Sequence, residues 1–381
     1  MTENKKPMGL YVHIPFCNRK CDYCDFVSYS MNEEAQHKYL DALLLEIDQV
    51  KDKFVDTTFD TLYIGGGTPS IVFDGFILKL ARKIFSSFKF ANDKEFTIEI
   101  NPSSFNRQKF MEYLQAGVNR VSVGVQCLDS ELLEEQGRIQ SMENIEETFE
   151  ILTDCEYENV SSDVLIGLPN QSIESVQETL IYLIENRVKH ISVYTLQVEK
   201  HTMLYDKIKR NKLKLPKDKK VNEVYEMAKN ILLSEGYIRY EVSNFARPGF
   251  QSRHNMKYWT EVDYLGLGVS AHSFIDGYRY YNTKRLDTYI DNLNDGKSPV
   301  YSKEYIAREI AREERLMLSL RTAKGLDLAK FNEDFNENLL KSKEMEINKM
   351  LENGQIEIVN GHLRITDGSY SVLNSIIVEL M

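Results

Sequence analysis

The chain has 381 residues, 42% hydrophobic and 28% charged, which is long enough for two domains and apolar enough for a real core. Such a composition excludes a disordered chain, a collagen and a disulfide-dense miniprotein. A formal charge of −11 argues against a nucleic-acid binder, which would carry a basic footprint. No stretch approaches the roughly 18 consecutive apolar residues of a membrane span. The opening Met1-Thr-Glu-Asn-Lys-Lys-Pro-Met-Gly9 lacks the apolar segment of a signal peptide, so a cytoplasmic location is expected.

Runs rich in β-branched and aromatic residues predict strands at 10–14, 61–64, 96–100, 120–126, 160–168 and 190–197. Amphipathic stretches predict helices between them at about 33–50, 75–88, 107–116, 142–154 and 172–185. Strict alternation with connections of this length demands parallel strands and right-handed crossovers. The expected fold is α/β, a partial (β/α)6 TIM-like barrel whose site lies at the C-terminal ends of the strands. The stretch 206–220, with eight Lys/Arg against two Asp, reads as a solvated helix end and loop. Tyr240-Glu-Val-Ser-Asn-Phe245 is again strand-like, and 291–298 reads as a polar linker. Beyond it, helical patterns at about 302–319, 327–331 and 337–351 precede alternating apolar residues on either side of Asn360-Gly361, a two-residue hairpin signal. A last helix is expected from about 369. The domains expected are 1–290, the barrel and its extension, and 299–381, a small helical, winged-helix-like domain.

Five cysteines in a reducing compartment are not a disulfide framework. Cys17, Cys21 and Cys24 crowd into C-x3-C-x2-C, whereas Cys127 and Cys155 stand alone and read as small buried apolar residues. A structural zinc site needs four protein ligands, typically in two pairs. A [4Fe–4S] cube ordinarily takes four thiolates, so three leave one iron open for chemistry. Further along, Gly65-Gly66-Gly67-Thr68-Pro69 follows the second strand, and its glycines allow close backbone approach to a ligand. Glu99-Ile-Asn-Pro102, Val123-Gly-Val-Gln126 with Arg138, and Ser162-Asp163 place polar groups at the next three strands.

C-x3-C-x2-C at the end of a first barrel strand resembles the signature of the radical S-adenosylmethionine (SAM) superfamily. Together with Tyr11-Val-His-Ile-Pro-Phe-Cys17 and Tyr240–Phe245, the strand-end set resembles the coproporphyrinogen-dehydrogenase-like (HemN-like) branch over nearly the whole chain. The resemblance implies a [4Fe–4S] cluster on Cys17, Cys21 and Cys24 whose open iron chelates SAM. It also implies SAM contacts by Tyr11, Gly66, Gly67, Thr68, Glu99, Gln126, Arg138 and Asp163, with Tyr23 packing against it. In that family one electron cleaves SAM to methionine and a 5′-deoxyadenosyl radical, which implies a donor such as flavodoxin or ferredoxin.

Within the branch, the oxygen-independent coproporphyrinogen III dehydrogenase carries a fourth cysteine two residues after the third, where this chain has Phe26. His254-Asn-Met-Lys-Tyr258-Trp259 resembles the H-N-x-x-Y-W element of the paralogous heme chaperones (HemW type), and Trp259 is the single tryptophan. The resemblance therefore implies a protein that binds heme and passes it to apo-hemoproteins such as membrane-associated respiratory cytochromes. A homodimer is compatible with it, and radical decarboxylation of coproporphyrinogen III is the alternative. Imidazole is a common heme ligand and aromatic rings suit a porphyrin face. His254 is the expected heme contact, with His13 and His272 as rivals.

Overall fold

A computed structural model describes residues 6–30 and 32–381. Six strands, β1 (Met8–Ile14), β2 (Thr58–Gly66), β3 (Lys89–Ile100), β4 (Arg120–Gln126), β5 (Val160–Ile166) and β6 (His190–Thr195), lie side by side in sequence order, all parallel. Order without reversal means that every right-handed crossover returns on the same side, so the helices line one face and the sheet curls around the other. β1 is buried along nearly its whole length, as expected of a strand covered on both faces. The intervening helices begin at polar caps: Asn32, Asn106 and Ser172 each accept a backbone N–H of the first turn, and Ser141 forms a reciprocal capping box with Asn144.

The arc does not close. Past β6 the sheet turns antiparallel through β8 (Asn244–Ala246) to an edge at β7 (Ile238–Arg239). Beside β1 it continues through β9 (Tyr264–Leu267), β10 (His272–Ile275) and β11 (Tyr278–Asn282) to an edge at β12 (Val300–Tyr305). Three sequence readings are corrected here. Residues 300–305 are a wholly exposed edge strand and not the start of a helix, which runs only over Arg308–Ser319. Of the expected linker 291–298, the first residues belong to helix Leu286–Asn294. Of the Tyr240–Phe245 run only Asn244 and Phe245 are strand, in β8, and residues 240–243 turn between it and β7.

A second core, including Leu316, Phe331, Ile347, Leu363 and Ile377, gathers the C-terminal helices on a three-stranded antiparallel sheet. Its hairpin turns at Asn360 and Gly361, both at positive φ (51° and 77°), which a type I′ turn requires. This unit spans the open side of the arc: Glu314 pairs with Arg279 of β11 at 2.7 Å, and Asp367 pairs with Arg239 of β7.

Candidate functional site

The inner face of the arc is unusually polar for a protein core. Tyr63, Glu99, Asp163 and Ser192 stand toward the C-terminal ends of their strands, with Glu95, Arg120 and His190 below them. Glu99 accepts hydrogen bonds from the Tyr63 hydroxyl (2.7 Å) and the Gly66 backbone N–H (3.1 Å). Burial, with the nearby Asp163 charge adding, pushes the Glu99 carboxyl up to about 7. Asp163 is raised to about 6 by burial, against the opposing pull of Ser192, Arg138 and Arg120. Two carboxyls that change charge near neutrality therefore share the mouth of the arc.

The cysteines lie on the loop leaving β1. Cys17 and Cys24 are each close enough to feel the charge of Cys21, and burial pushes both thiols up. Several bonds shape the loop. The Cys17 N–H donates to Tyr29 O (3.1 Å), Asp22 N–H to Gln136 O (2.8 Å), and Cys24 N–H to Cys21 O (3.1 Å). His13 accepts from the Tyr11 hydroxyl at Nδ1 (3.0 Å) and donates from Nε2 to Val27 O (3.1 Å). Burial holds this imidazole down at about 4, so it is a neutral brace beneath the loop.

The glycine run presses on the loop from β2. Gly66 has φ 118°, and a Cβ there would strike the His13 ring at 2.6 Å. A Cβ on Gly67 would meet Phe16 O at 2.6 Å and Cys17 Sγ at 3.0 Å. Only glycine permits this approach. Thr68 Oγ1 sits 3.5 Å from Cys17 Sγ. From the other side, Arg138 donates to Gly124 O and to Gln140 (3.2 Å), and its guanidinium interacts with Tyr23, Cys21 and Asp163. The missing side chain of Gly124 makes room for it: a Cβ would stand 2.9 Å from Arg138 Nη2 and 3.4 Å from Gln126 Nε2. Gln126 ends β4 at φ 65°, a strained conformation for a non-glycine residue. Tyr11, Tyr23, Gly66, Gly67, Thr68, Glu99, Gln126, Arg138 and Asp163 thus converge with Cys17, Cys21 and Cys24 at one end of the arc.

Three thiols on one loop fit a [4Fe–4S] cube, which spreads its thiolates over different irons. The Tyr23 hydroxyl, Ser28 Oγ and Arg138 Nε are buried around the cysteines with nothing but the thiols to engage them, and groups so poorly satisfied mark a place for a polar ligand.

His254 lies elsewhere. It is buried on the short helix Arg253–Trp259, which closes the opposite end of the arc. Its Nδ1 bonds Thr61 Oγ1 and its Nε2 bonds the Tyr258 hydroxyl, both at 2.8 Å, and its ring stacks on Tyr63. Glu95 accepts from the backbone N–H of Arg253 and His254, fixing the helix start. Burial drives the imidazole down to about 3. As folded, neither nitrogen of His254, the heme contact expected from the sequence, is free, and ligation would require Tyr258 to release Nε2. Trp259 lines a cavity of about 1570 Å³ between this end of the arc and the C-terminal unit, together with Tyr278, Tyr280 and Arg315.

The sequence did not single out Tyr63, the partner of Glu99, nor Asp22, which is buried in the cysteine loop and paired with Lys207. Lys207 belongs to the basic stretch read as solvated, and no local pattern signals a contact 185 residues away.

Fold, glycine-buttressed cysteine loop and strand-end polar set define a radical SAM protein. Residues 11–183 match the radical SAM superfamily and residues 306–368 match the HemN C-terminal domain. The chain is 34% identical over 330 residues to the heme chaperone HemW of Bacillus subtilis, covering 86% of this chain and 87% of that one. It is 30% identical over 377 residues to the heme chaperone HemW of Lactococcus lactis, covering 99% and 98%. The solved structure of coproporphyrinogen III oxidase (HemN) from Escherichia coli superimposes with a TM-score of 0.85 at 23% identity, covering 99% of this chain and 90% of that one. That likeness speaks for the fold. The chain belongs to the HemW family of heme chaperones within the radical SAM superfamily.

Proposed function

We propose that the protein is a heme chaperone that binds heme and passes it to apo-hemoproteins, with Cys17, Cys21 and Cys24 holding a [4Fe–4S] cluster. The observation that carries this reading is identity of 30% or more to heme chaperones along most of both chains. Phe26 agrees with it: its side chain is 66% exposed, and phenylalanine offers no thiol at the place of the dehydrogenase's fourth cysteine. When bound, the cluster would supply an open iron for the amino and carboxylate groups of SAM. Thr68 and the Gly66–Gly67 backbone would line the methionine end, and Glu99 and Asp163 would accept from donors of SAM. Arg138 would balance negative charge beside Cys21, with Tyr11, Tyr23 and Gln126 completing the walls.

An electron would come from a one-electron donor of the flavodoxin or ferredoxin kind, and the acceptors would include respiratory cytochromes at the membrane. We place the protein in the cytoplasm, where free thiols persist. In support, no helix among the described residues is long and apolar enough to cross a membrane. Self-association as a homodimer is compatible with the exposed edge strand β12.

The deciding experiment supplies the anaerobically reconstituted protein with SAM, reductant and coproporphyrinogen III, and in parallel offers the heme-loaded form to an apo-cytochrome. Heme transfer without porphyrinogen turnover is expected. Formation of protoporphyrinogen IX would reject the chaperone reading as the sole function.

A further inference from the structure

Of the seven histidines, five are committed to other work. His13 and His254 have both ring nitrogens bonded. His190 is buried with Nε2 on the Tyr240 hydroxyl (2.7 Å). His362 holds Asn360 O at Nδ1 and faces Asp327 at 3.9 Å. His37 stacks on Phe73 and pairs with Glu33 at 3.6 Å. His201 sits on an exposed loop, with no stacked ring among the described residues. His272 differs from all of these. It is exposed, neither of its nitrogens is hydrogen-bonded among the described residues, and its ring stacks on Tyr281 at 4.9 Å and 21°.

We propose that His272 is the axial ligand that receives heme iron, on an open platform made with Tyr281 and Tyr301. The inference rests on the heme-chaperone reading above. His272 and Tyr281 are direct partners across β10 and β11, and Tyr281 lies 5.7 Å from Tyr301 of β12. Three rings on three neighbouring strands span roughly 10 Å; an iron-bound imidazole stands perpendicular to the porphyrin, so Tyr281, nearly parallel to His272, would meet the macrocycle with its edge. The alternation of β10 puts His272 on the same face as Phe274, which is paired with Tyr264. Tyr264 in turn meets Tyr258 inside the arc, so the platform continues the inner face past its open edge.

The mount is rigid. Buried Glu46 accepts from Gly268 N–H (2.8 Å), Asn282 Nδ2 (2.6 Å) and the Tyr289 hydroxyl (2.5 Å). Tyr39 accepts from Val269 N–H and donates to His13 O, which ties the turn before β10 to the strand that carries the cysteine loop. Partial desolvation against its neighbours, with Lys284 and Arg279 adding, holds the His272 imidazole below its usual value, and the neutral form is the ligating one. Arg279 is already paired with Glu314 and Glu304, whereas Lys284 has no ion pair among the described residues and is available to a propionate. His272 lies on β10, past β9 from β1 and off the cysteine loop, so heme here would leave the thiols free. An open face with one imidazole suits a carrier, because an acceptor can reach the cargo without the protein unfolding.

The test titrates ferric heme into cluster-loaded protein and follows the Soret band, with axial ligation read by electron paramagnetic resonance. His272→Ala is expected to lose the imidazole signature and raise Kd by about tenfold or more, and free imidazole should restore the spectrum. His272→Gln should behave alike, covering the case in which alanine perturbs the turn. Tyr281→Ala should raise Kd while keeping the signature. A His272→Ala protein with wild-type Kd and signature would overturn the proposal. So would loss of the signature in His254→Ala or His362→Ala while His272→Ala keeps it. If wild-type protein shows no saturable heme binding, the chaperone reading itself fails, and the His272 assignment with it.

Discussion

Neutralising Glu99 should move stability and SAM affinity in opposite directions, and only above a definable pH. The carboxyl is buried and accepts from Tyr63 and Gly66, yet burial lifts it from its usual 4.5 to about 7. A tenfold change in proton affinity is about 1.4 kcal/mol, so this displacement is linked to about 3 kcal/mol of folding free energy. The folded value is the higher one. The favourable contribution is therefore complete below the unfolded value and is lost as pH rises through about 7. Glu99→Gln stays neutral throughout. Urea unfolding of cluster-free protein should show little difference between variant and wild type at pH 5 and an advantage for the variant of about 2–3 kcal/mol at pH 8.5. SAM binding to the reconstituted variant should weaken by about ten- to a hundredfold, the value of a hydrogen bond to a charged group. A stability difference that is the same at pH 5 and pH 8.5, or unaltered SAM affinity, would refute the reasoning.

Cys17→Ala, Cys21→Ala and Cys24→Ala should each abolish a cluster that otherwise binds about four iron and four sulfide per chain on anaerobic reconstitution. A stoichiometric zinc site without iron uptake, in protein prepared without oxygen, would contradict this. Lys207→Ala should leave buried Asp22 without its cation and shorten the lifetime of the cluster in air, with far-ultraviolet circular dichroism unchanged. Combining it with Asp22→Asn should recover part of the loss, measured as a double-mutant cycle on cluster decay.

What was legible in the sequence was local or periodic. β1 to β6 showed because strands buried on both faces are continuous apolar runs, and Val12, Ile64, Ile98, Val123, Val164 and Val193 all lie in one core. The cysteine spacing and the residues ending each strand showed because a parallel arc delivers every strand end to one rim. β12 did not show, because Val-Tyr-Ser-Lys-Glu-Tyr is exposed throughout and has no buried face to impose a period of two. The direction of His254 was equally hidden. Its partners Thr61 and Glu95 are more than 150 residues away, and only the assembled arc decides that the ring enters the interior.

That placement divides the interior into two ends with different chemistry. At the floor, Glu95 and the His254–Tyr258 pair hold the Arg253–Trp259 helix, and Lys257 adds an ion pair with Asp60 at 2.6 Å, while Arg120 Nη2 and His190 Nδ1 have no hydrogen-bond partner. At the mouth, Tyr23, Ser28 and Arg138 keep buried polar atoms with nothing but the thiols to engage them, and Glu99 and Asp163 sit near their ionisation points. Bonds among the floor groups stabilise the arc, and orphaned groups at either end carry a cost that a ligand can offset. At the mouth those groups surround the cysteines, so a ligand held there with the thiols would gain binding free energy. A second ligand on the His272 platform would reach that end from the side of β9, which pairs with β1, the strand that leads into the cysteine loop.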